Sequence, residues 1–265
     1  MVTDQRLRMR QAVRLPAMAE GFQVAMMKTM LFGLAVLFSG VCFPGMAAAD
    51  EAAPAARTLV LVRHGQYLET PDADENLGPG LSALGVAQAR MTGARLAAMP
   101  YHFDALYVSP LQRARDTAAS IGEAIGNDRF TVLPDLSECT PPTRRKDIMD
   151  RTTPEELAAC KGQLERLFAA HFRPAEGGEK HELLVCHGNV IRYLVTRALD
   201  VDTTAWLGMS VGHASLTTIR VEADGRIKLL GIGDTGHIPA NLTTAASGDP
   251  AGRLVPAALK EAVTE

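Results

Sequence analysis

Past position 50, the first run of apolar residues is Leu59–Val62, which breaks off into Arg63-His64-Gly65. A run this short, closed by a glycine, predicts a buried strand that delivers a loop. Ala105–Val108 and Glu182–Cys186 repeat the pattern and predict two further buried strands. Between them the period lengthens to that of a helix. Ser82 precedes a stretch with Val86, Ala89, Leu96 and Ala97 available for one face, and a second helix is expected from about Pro110 to Ile125. Thr153-Pro154-Glu155-Glu156 combines a cap, a first-turn proline and a glutamate three residues after the cap, so a helix should start there and run to about Phe172. Another is expected over Asn189–Leu199. Ser215–Val221 and Arg226–Ile232 flank Ala223-Asp224-Gly225, a hairpin signal. Strands alternating with helices predict an α/β fold: a three-layer sandwich with a mostly parallel central sheet and an added antiparallel hairpin. Tyr67–Pro79 and Thr140–Thr153 read as polar loops.

The N-terminal pattern is different. Met30–Phe43 is an apolar run without a charge, preceded by Lys28 and followed by Pro44-Gly45-Met46-Ala47-Ala48-Ala49. A basic flank, a short greasy stretch and a small-residue site predict a secretory leader over residues 1–49, cleaved after Ala49, with export to the periplasm. The alternatives are an uncleaved anchor, for which the run is short, and an Arg-rich mitochondrial presequence, since Arg6, Arg8, Arg10 and Arg14 precede the run; the Ala-Ala-Ala site favours export. A loose linker over 50–56, one domain over 57–240 and a tail over 241–265 complete the expected organisation.

Composition refines this picture. The chain has 265 residues and a formal net charge of −3. The leader takes five of the 27 basic residues and two of the 30 acidic ones, so the remainder carries −6. That balance argues against a nucleic-acid partner, and 5% aromatic residues argue against a base-stacking platform. An anion site must therefore be built locally. Cys42 lies in the leader, leaving Cys139, Cys160 and Cys186, of which Cys139 and Cys160 could pair in an oxidising compartment.

In open α/β folds ligands collect at the carboxyl ends of strands. Three expected strand ends carry Arg63-His64-Gly65, Ser109-Pro110-Leu111-Gln112-Arg113 and His187-Gly188-Asn189. Two arginines, two histidines and helix N-termini make an anion pocket suited to a phosphoryl group.

These residues carry a resemblance. Leu-Val-Arg63-His64-Gly65, Leu81-Ser82 through Ala89, Ser109 through Thr117, Leu136-Ser137-Glu138 and Cys186 through Arg192 stand in the order found in the histidine phosphatase superfamily. Within its phosphoglycerate-mutase-like branch the chain is most similar to the mitochondrial serine/threonine phosphatase type, through His187–Tyr193, Ala205-Trp206-Leu207 and Gly233-Asp234-Thr235-Gly236. It does not show that type's Trp-Asp-rich oligomerisation segment, and no oligomeric state is assigned.

The resemblance implies a phosphomonoester hydrolase that needs neither metal nor cofactor. His64 would attack phosphorus, while Arg63, Arg113 and His187 clamp its oxygens, with Gly188 and Asn189 beside them. Glu138 matches the family's acid position. That role needs a raised carboxyl pKa, which the arginines oppose. Asn189 would cap its helix and also donate to phosphate. The substrate would be a phosphoserine or phosphothreonine protein or a small phosphomonoester. Phosphotransfer of the mutase type and a non-catalytic phospholigand module are the alternatives.

Two rivals are weaker. Cys186 and Arg192 have the spacing of a cysteine-dependent phosphatase, against which a buried core cysteine is the simpler reading. His181 and His187 lack the spacing of a zinc site. His102, His171 and His237 read as surface or structural residues. His213 is a secondary site candidate, where the phosphatase type has small polar residues facing the pocket.

Overall fold

A computed structural model describes residues 53–68 and 71–244. The expected leader and the tail beyond Thr244 lie outside the described residues.

In chain order the elements are β1 (Pro54–Ala55), β2 (Arg57–Arg63), α1 (Ala83–Ala97), β3 (Ala105–Val108), α2 (Gln112–Ile125), β4 (Thr131–Val132) and α3 (Lys146–Met149). They continue with α4 (Pro154–His171), β5 (Ala175–Glu176), β6 (Lys180–Cys186), α5 (Gly188–Ala198), β7 (Leu216–Val221) and β8 (Ile227–Asp234). The main sheet has the order β4-β3-β6-β2-β7-β8. Its first four strands are parallel, and β7 and β8 form the antiparallel hairpin. This is the mostly parallel α/β architecture that the pattern predicts.

Alternation along the strands makes the three layers. Leu59 and Leu61 of β2, with Leu184 and Cys186 of β6, face a core shared with α4 and α5. Val60 and Val62, with Leu183 and Val185, face the other core, shared with α1 and α2. Both faces of the central strands are buried, which is why they read as continuous apolar runs. The start of α4 carries the expected capping box, with Thr153 Oγ1 accepting from Glu156 N and Glu156 accepting from Thr153 N. No helix among the described residues is long and apolar enough to cross a membrane.

Three sequence expectations need correction. The face of α1 that is buried consists of Gly85, Gln88, Ala89, Thr92, Gly93 and Leu96, whereas Ala97 is exposed and Val86 only half-buried. At Gly93 an added Cβ would stand 2.8 Å from that of Ala124 in α2, so small residues let the two helices approach. Gln88 and Thr92 are tolerated inside because every polar group finds a partner, as described below. Second, the stretch read as a loose linker is partly ordered: β1 pairs antiparallel with β5 in a separate two-stranded sheet. Third, the boundary at residue 240 falls too early, because Thr243 and Thr244 are buried and Thr244 reaches the pocket.

Candidate active site

Strand register brings the candidate residues together. Arg63 pairs with Cys186 and Val108 with Val185, so the carboxyl ends of β2, β3 and β6 stop side by side. Backbone bonds carry the alignment one residue further: His64 N donates to Cys186 O at 2.9 Å, and Ser109 N to Val185 O at 3.0 Å. Arg63, His64, Ser109 and His187 thus emerge from neighbouring strands about one strand spacing apart. The loop after His64 lies flat against the start of α1, where an added Cβ on Gly85 would stand 1.9 Å from Gln66 O. Glycine is required there by contact alone.

His64 is 1% exposed. Its Nδ1 is 2.7 Å from Gly65 O, an acceptor only, so Nδ1 carries the hydrogen and Nε2 keeps the lone pair. Arg113, in the first turn of α2, donates from Nε to that Nε2 at 3.2 Å and lies over the Tyr67 ring at 4.9 Å. The rings of His187 and His213 are 5.0 and 5.5 Å from that of His64. Burial, then His187, Arg63, His213 and Arg113, hold the His64 pKa well below the usual histidine range. The imidazole is neutral at neutral pH.

His187 lies between the end of β6 and the start of α5, at the N-cap position of that helix. Its Nε2 lies 2.7 Å from Ser109 Oγ, which accepts from Leu111 N at 3.3 Å, and its buried Nδ1 has no partner among the described residues. Burial, then Arg113 and Arg63, press its pKa well down. Arg63 is 6% exposed. It donates from Nη1 to Val211 O at 2.7 Å and from Nη2 to His213 Nε2 at 3.0 Å, and its buried Nε has no partner among the described residues. Burial lowers its pKa to about 10, which leaves it charged. Gly188 makes room for it: a Cβ there would stand 3.3 Å from Arg63 Nε. Among the described residues, Arg63 Nε and His187 Nδ1 are thus buried polar atoms without a hydrogen-bond partner, whereas such atoms usually find one in folded proteins.

Glu138 follows a short 3-10 turn over Pro134–Leu136 and accepts from Asn189 N at 3.2 Å. Its pKa is raised by burial, which outweighs Arg63, Arg113, the Asn189 N–H and Arg192. The opposition expected between burial and arginines is present, and burial prevails. Cys139, the next residue, forms a disulfide with Cys160 of α4. Asn189 does not cap α5. It is the second helical residue, donating from Nδ2 to Cys139 O at 3.1 Å and accepting from Arg192 Nη1 at 3.3 Å. Its side chain thus holds the Glu138 loop.

Cys186 packs in the core, and burial drives its thiol pKa far upward. Arg192 donates to Met209 O and Asn189 rather than to a phosphate-binding loop. The cysteine-phosphatase spacing therefore has no reactive thiolate behind it. His171 pairs with Glu182 at 2.8 Å, His181 stacks on Tyr101, His102 is exposed, and His237 bonds Thr92 and Ala214. Sequence reasoning gave no role to Ser109, Tyr67 or Thr244. Ser109 and Tyr67 sit beside motif residues, whereas nothing local marks Thr244.

Comparison with known proteins matches this geometry to a family. The profile of the histidine phosphatase superfamily (branch 1) matches residues 59–235. The chain is 35% identical over 196 residues to the serine/threonine-protein phosphatase Pgam5, mitochondrial, of Drosophila grimshawi, covering 71% of this chain and 67% of that one. Its fold is similar to the alpha-ribazole phosphatase of Shigella flexneri, at 19% identity and a TM-score of 0.53 over 67% of this chain and 96% of the other. It is also similar to a mycobacterial glucosyl-3-phosphoglycerate phosphatase, at 24% identity and a TM-score of 0.50 over 68% and 100% of the two chains. The chain belongs to branch 1 of the histidine phosphatase superfamily.

Proposed function

We propose that this protein hydrolyses phosphomonoesters in two steps through a phosphohistidine on His64. The observation that carries this reading is the hydrogen bond from His64 Nδ1 to Gly65 O, which leaves a neutral ring with its Nε2 lone pair among Arg63, Arg113 and His187. In the first step Nε2 forms a bond to phosphorus while the ester P–O bond breaks. Glu138 gives its proton to the departing alkoxide, as a carboxyl whose pKa burial has raised can do. In the second step water attacks phosphorus, the P–N bond breaks, and Glu138 takes the water proton as inorganic phosphate leaves.

Arg113 trades its contact with the lone pair for the phosphoryl oxygens, and Arg63 Nε meets them from the other side. Ser109, whose oxygen already accepts from Leu111 N, gives its hydroxyl hydrogen to His187 Nε2. That tautomer presents His187 Nδ1–H to the same oxygens.

Trapping the enzyme in acid-free quench and detecting phosphohistidine by mass spectrometry tests the reading. His64→Ala should yield no adduct and no turnover. A fully active His64→Ala variant overturns it, and transfer to a second alcohol without phosphate release would favour the mutase alternative.

The substrate proposed is a phosphoserine or phosphothreonine protein, after the named activity of the Drosophila relative, or a small phosphomonoester. We also infer export, with cleavage after Ala49. The leader pattern supports it, as does a disulfide that an oxidising compartment would preserve. The relative carries a mitochondrial designation. N-terminal sequencing of protein from the periplasmic fraction decides: Asp50 as first residue is expected, and an intact leader refutes cleavage.

A further inference from the structure

His213 has no part in the steps above, yet both of its nitrogens are committed. The ring is 2% exposed. Arginine only donates, so Arg63 Nη2 makes His213 Nε2 an acceptor, and the ring hydrogen sits on Nδ1, facing Thr244 Oγ1 at 2.9 Å. Thr244 Oγ1 also accepts from Gln88 Nε2 at 3.0 Å, and Gln88 Oε1 accepts from Gln66 N, two residues past His64. The next residue, Ala214, has φ 55°, a left-handed conformation that a side chain rarely adopts. Its N–H donates to His64 O and its carbonyl accepts from Thr92 Oγ1 at 2.8 Å. Strain held from both sides is the mark of a backbone placed for a purpose.

The purpose is legible in the partners of Arg63. Nη1 and Nη2 meet neutral acceptors, Val211 O and His213 Nε2, and Nε meets none among the described residues. Neutral acceptors orient a guanidinium without discharging it, whereas a carboxylate there would compete with the phosphoryl group for the same cation. The geometry points to His213 as a positioning residue that aims Arg63 at the phosphoryl group and leaves its charge available. This inference rests on the phosphohydrolase reading of the pocket. Burial, Arg63 and Arg113 press the His213 pKa down to about 2, so the ring stays neutral over any practical assay range.

The test measures inorganic phosphate binding by calorimetry, with KM and kcat for p-nitrophenyl phosphate and a thermal melt, on wild type and His213→Leu, His213→Gln and His213→Glu. Losing one charge-assisted hydrogen bond should weaken phosphate binding and raise KM about ten-fold in His213→Leu, with a smaller fall in kcat. Gln carries an acceptor near the position of Nε2 and should restore affinity to within about three-fold. Glu also carries one, but should bind phosphate no better than Leu. A folded Leu variant with wild-type phosphate affinity overturns the inference, and so does a Glu variant equal to Gln. If the Leu variant does not fold, the comparison of Gln with Glu decides alone. Because phosphate binding needs no turnover, a protein that binds phosphate and hydrolyses nothing refutes the hydrolase reading while His213 is still judged.

Discussion

Opening the Cys139–Cys160 disulfide, by a reductant or by the double substitution Cys139→Ala and Cys160→Ala, should cost both stability and a selective part of the rate. The bridge spans 21 residues. The loop-closure entropy of a span that long is worth about 3 kcal/mol at 25 °C, which is roughly 6–12 °C in Tm for a domain of this size. The kinetic effect follows from position, since Cys139 is the residue after Glu138. Upstream, the loop stays tied to α4, because Gln163 Nε2 donates to Ser137 O at 2.8 Å and Arg166 pairs with Asp135 at 2.7 Å. Downstream, the chain is next held where Trp206 Nε1 donates to Pro142 O at 3.1 Å, and Glu138 and Cys139 themselves keep the Asn189 contacts. The acid should therefore loosen rather than leave. General acid catalysis is worth about 10²–10⁴, and a loosened acid should lose about ten-fold on an alkyl phosphate. p-Nitrophenyl phosphate has a leaving group that departs without a proton, and should lose much less. The assay is guanidinium denaturation with and without reductant, alongside kcat for both esters. A stability loss below about 1 kcal/mol would refute the loop-closure argument. An equal fall for both esters would refute the link to Glu138.

Glu138→Gln should slow alkyl phosphates by about 10²-fold or more and p-nitrophenyl phosphate far less. Its pH dependence carries a sign. A carboxyl whose folded pKa is raised must be protonated to act as an acid, so the wild-type rate on alkyl esters should fall as pH climbs through that raised value, and the Gln variant should lack this limb. Stability follows the same direction: the folded state binds the proton more tightly, so wild-type stability falls between the unfolded and folded pKa values, and the variant should be flatter there in pH-resolved denaturation. Ser109→Ala frees the tautomer of His187 and should lower kcat about ten-fold with the fold intact by circular dichroism. Cys186→Ala should keep full activity, because its thiol is packed in the core; an inactive but folded variant would revive the cysteine reading.

How far the sequence alone reaches is visible in particular elements. β2 and β6 were legible as short apolar runs because their two buried faces leave no room for alternation, β3 as an apolar run although its residues alternate between half-buried and buried, and α4 because its capping box is local chemistry. The buried face of α1 was not, since Gln88 and Thr92 look like solvent-facing residues until their partners Gln66, Leu242, Thr244 and Ala214 arrive from elsewhere in the chain. β1 and β5 are two residues each, too short for any period to show.

By itself the sequence determined that Arg63, His64, Arg113 and His187 each lie near a strand end or helix start in an otherwise acidic chain, which is the pattern expected of an anion site. It left three cysteines past position 50, with Cys139–Cys160 as a possible pair that the structure forms. Only the tertiary structure decided which atoms do what. The tautomer of His64 depends on a single carbonyl, and the raised carboxyl of Glu138 on burial winning over three arginines. The aim of Arg63 depends on a histidine 150 positions away. Proton positions and pKa values are set by neighbours within a few ångströms, and the chain reveals those neighbours only once it has folded.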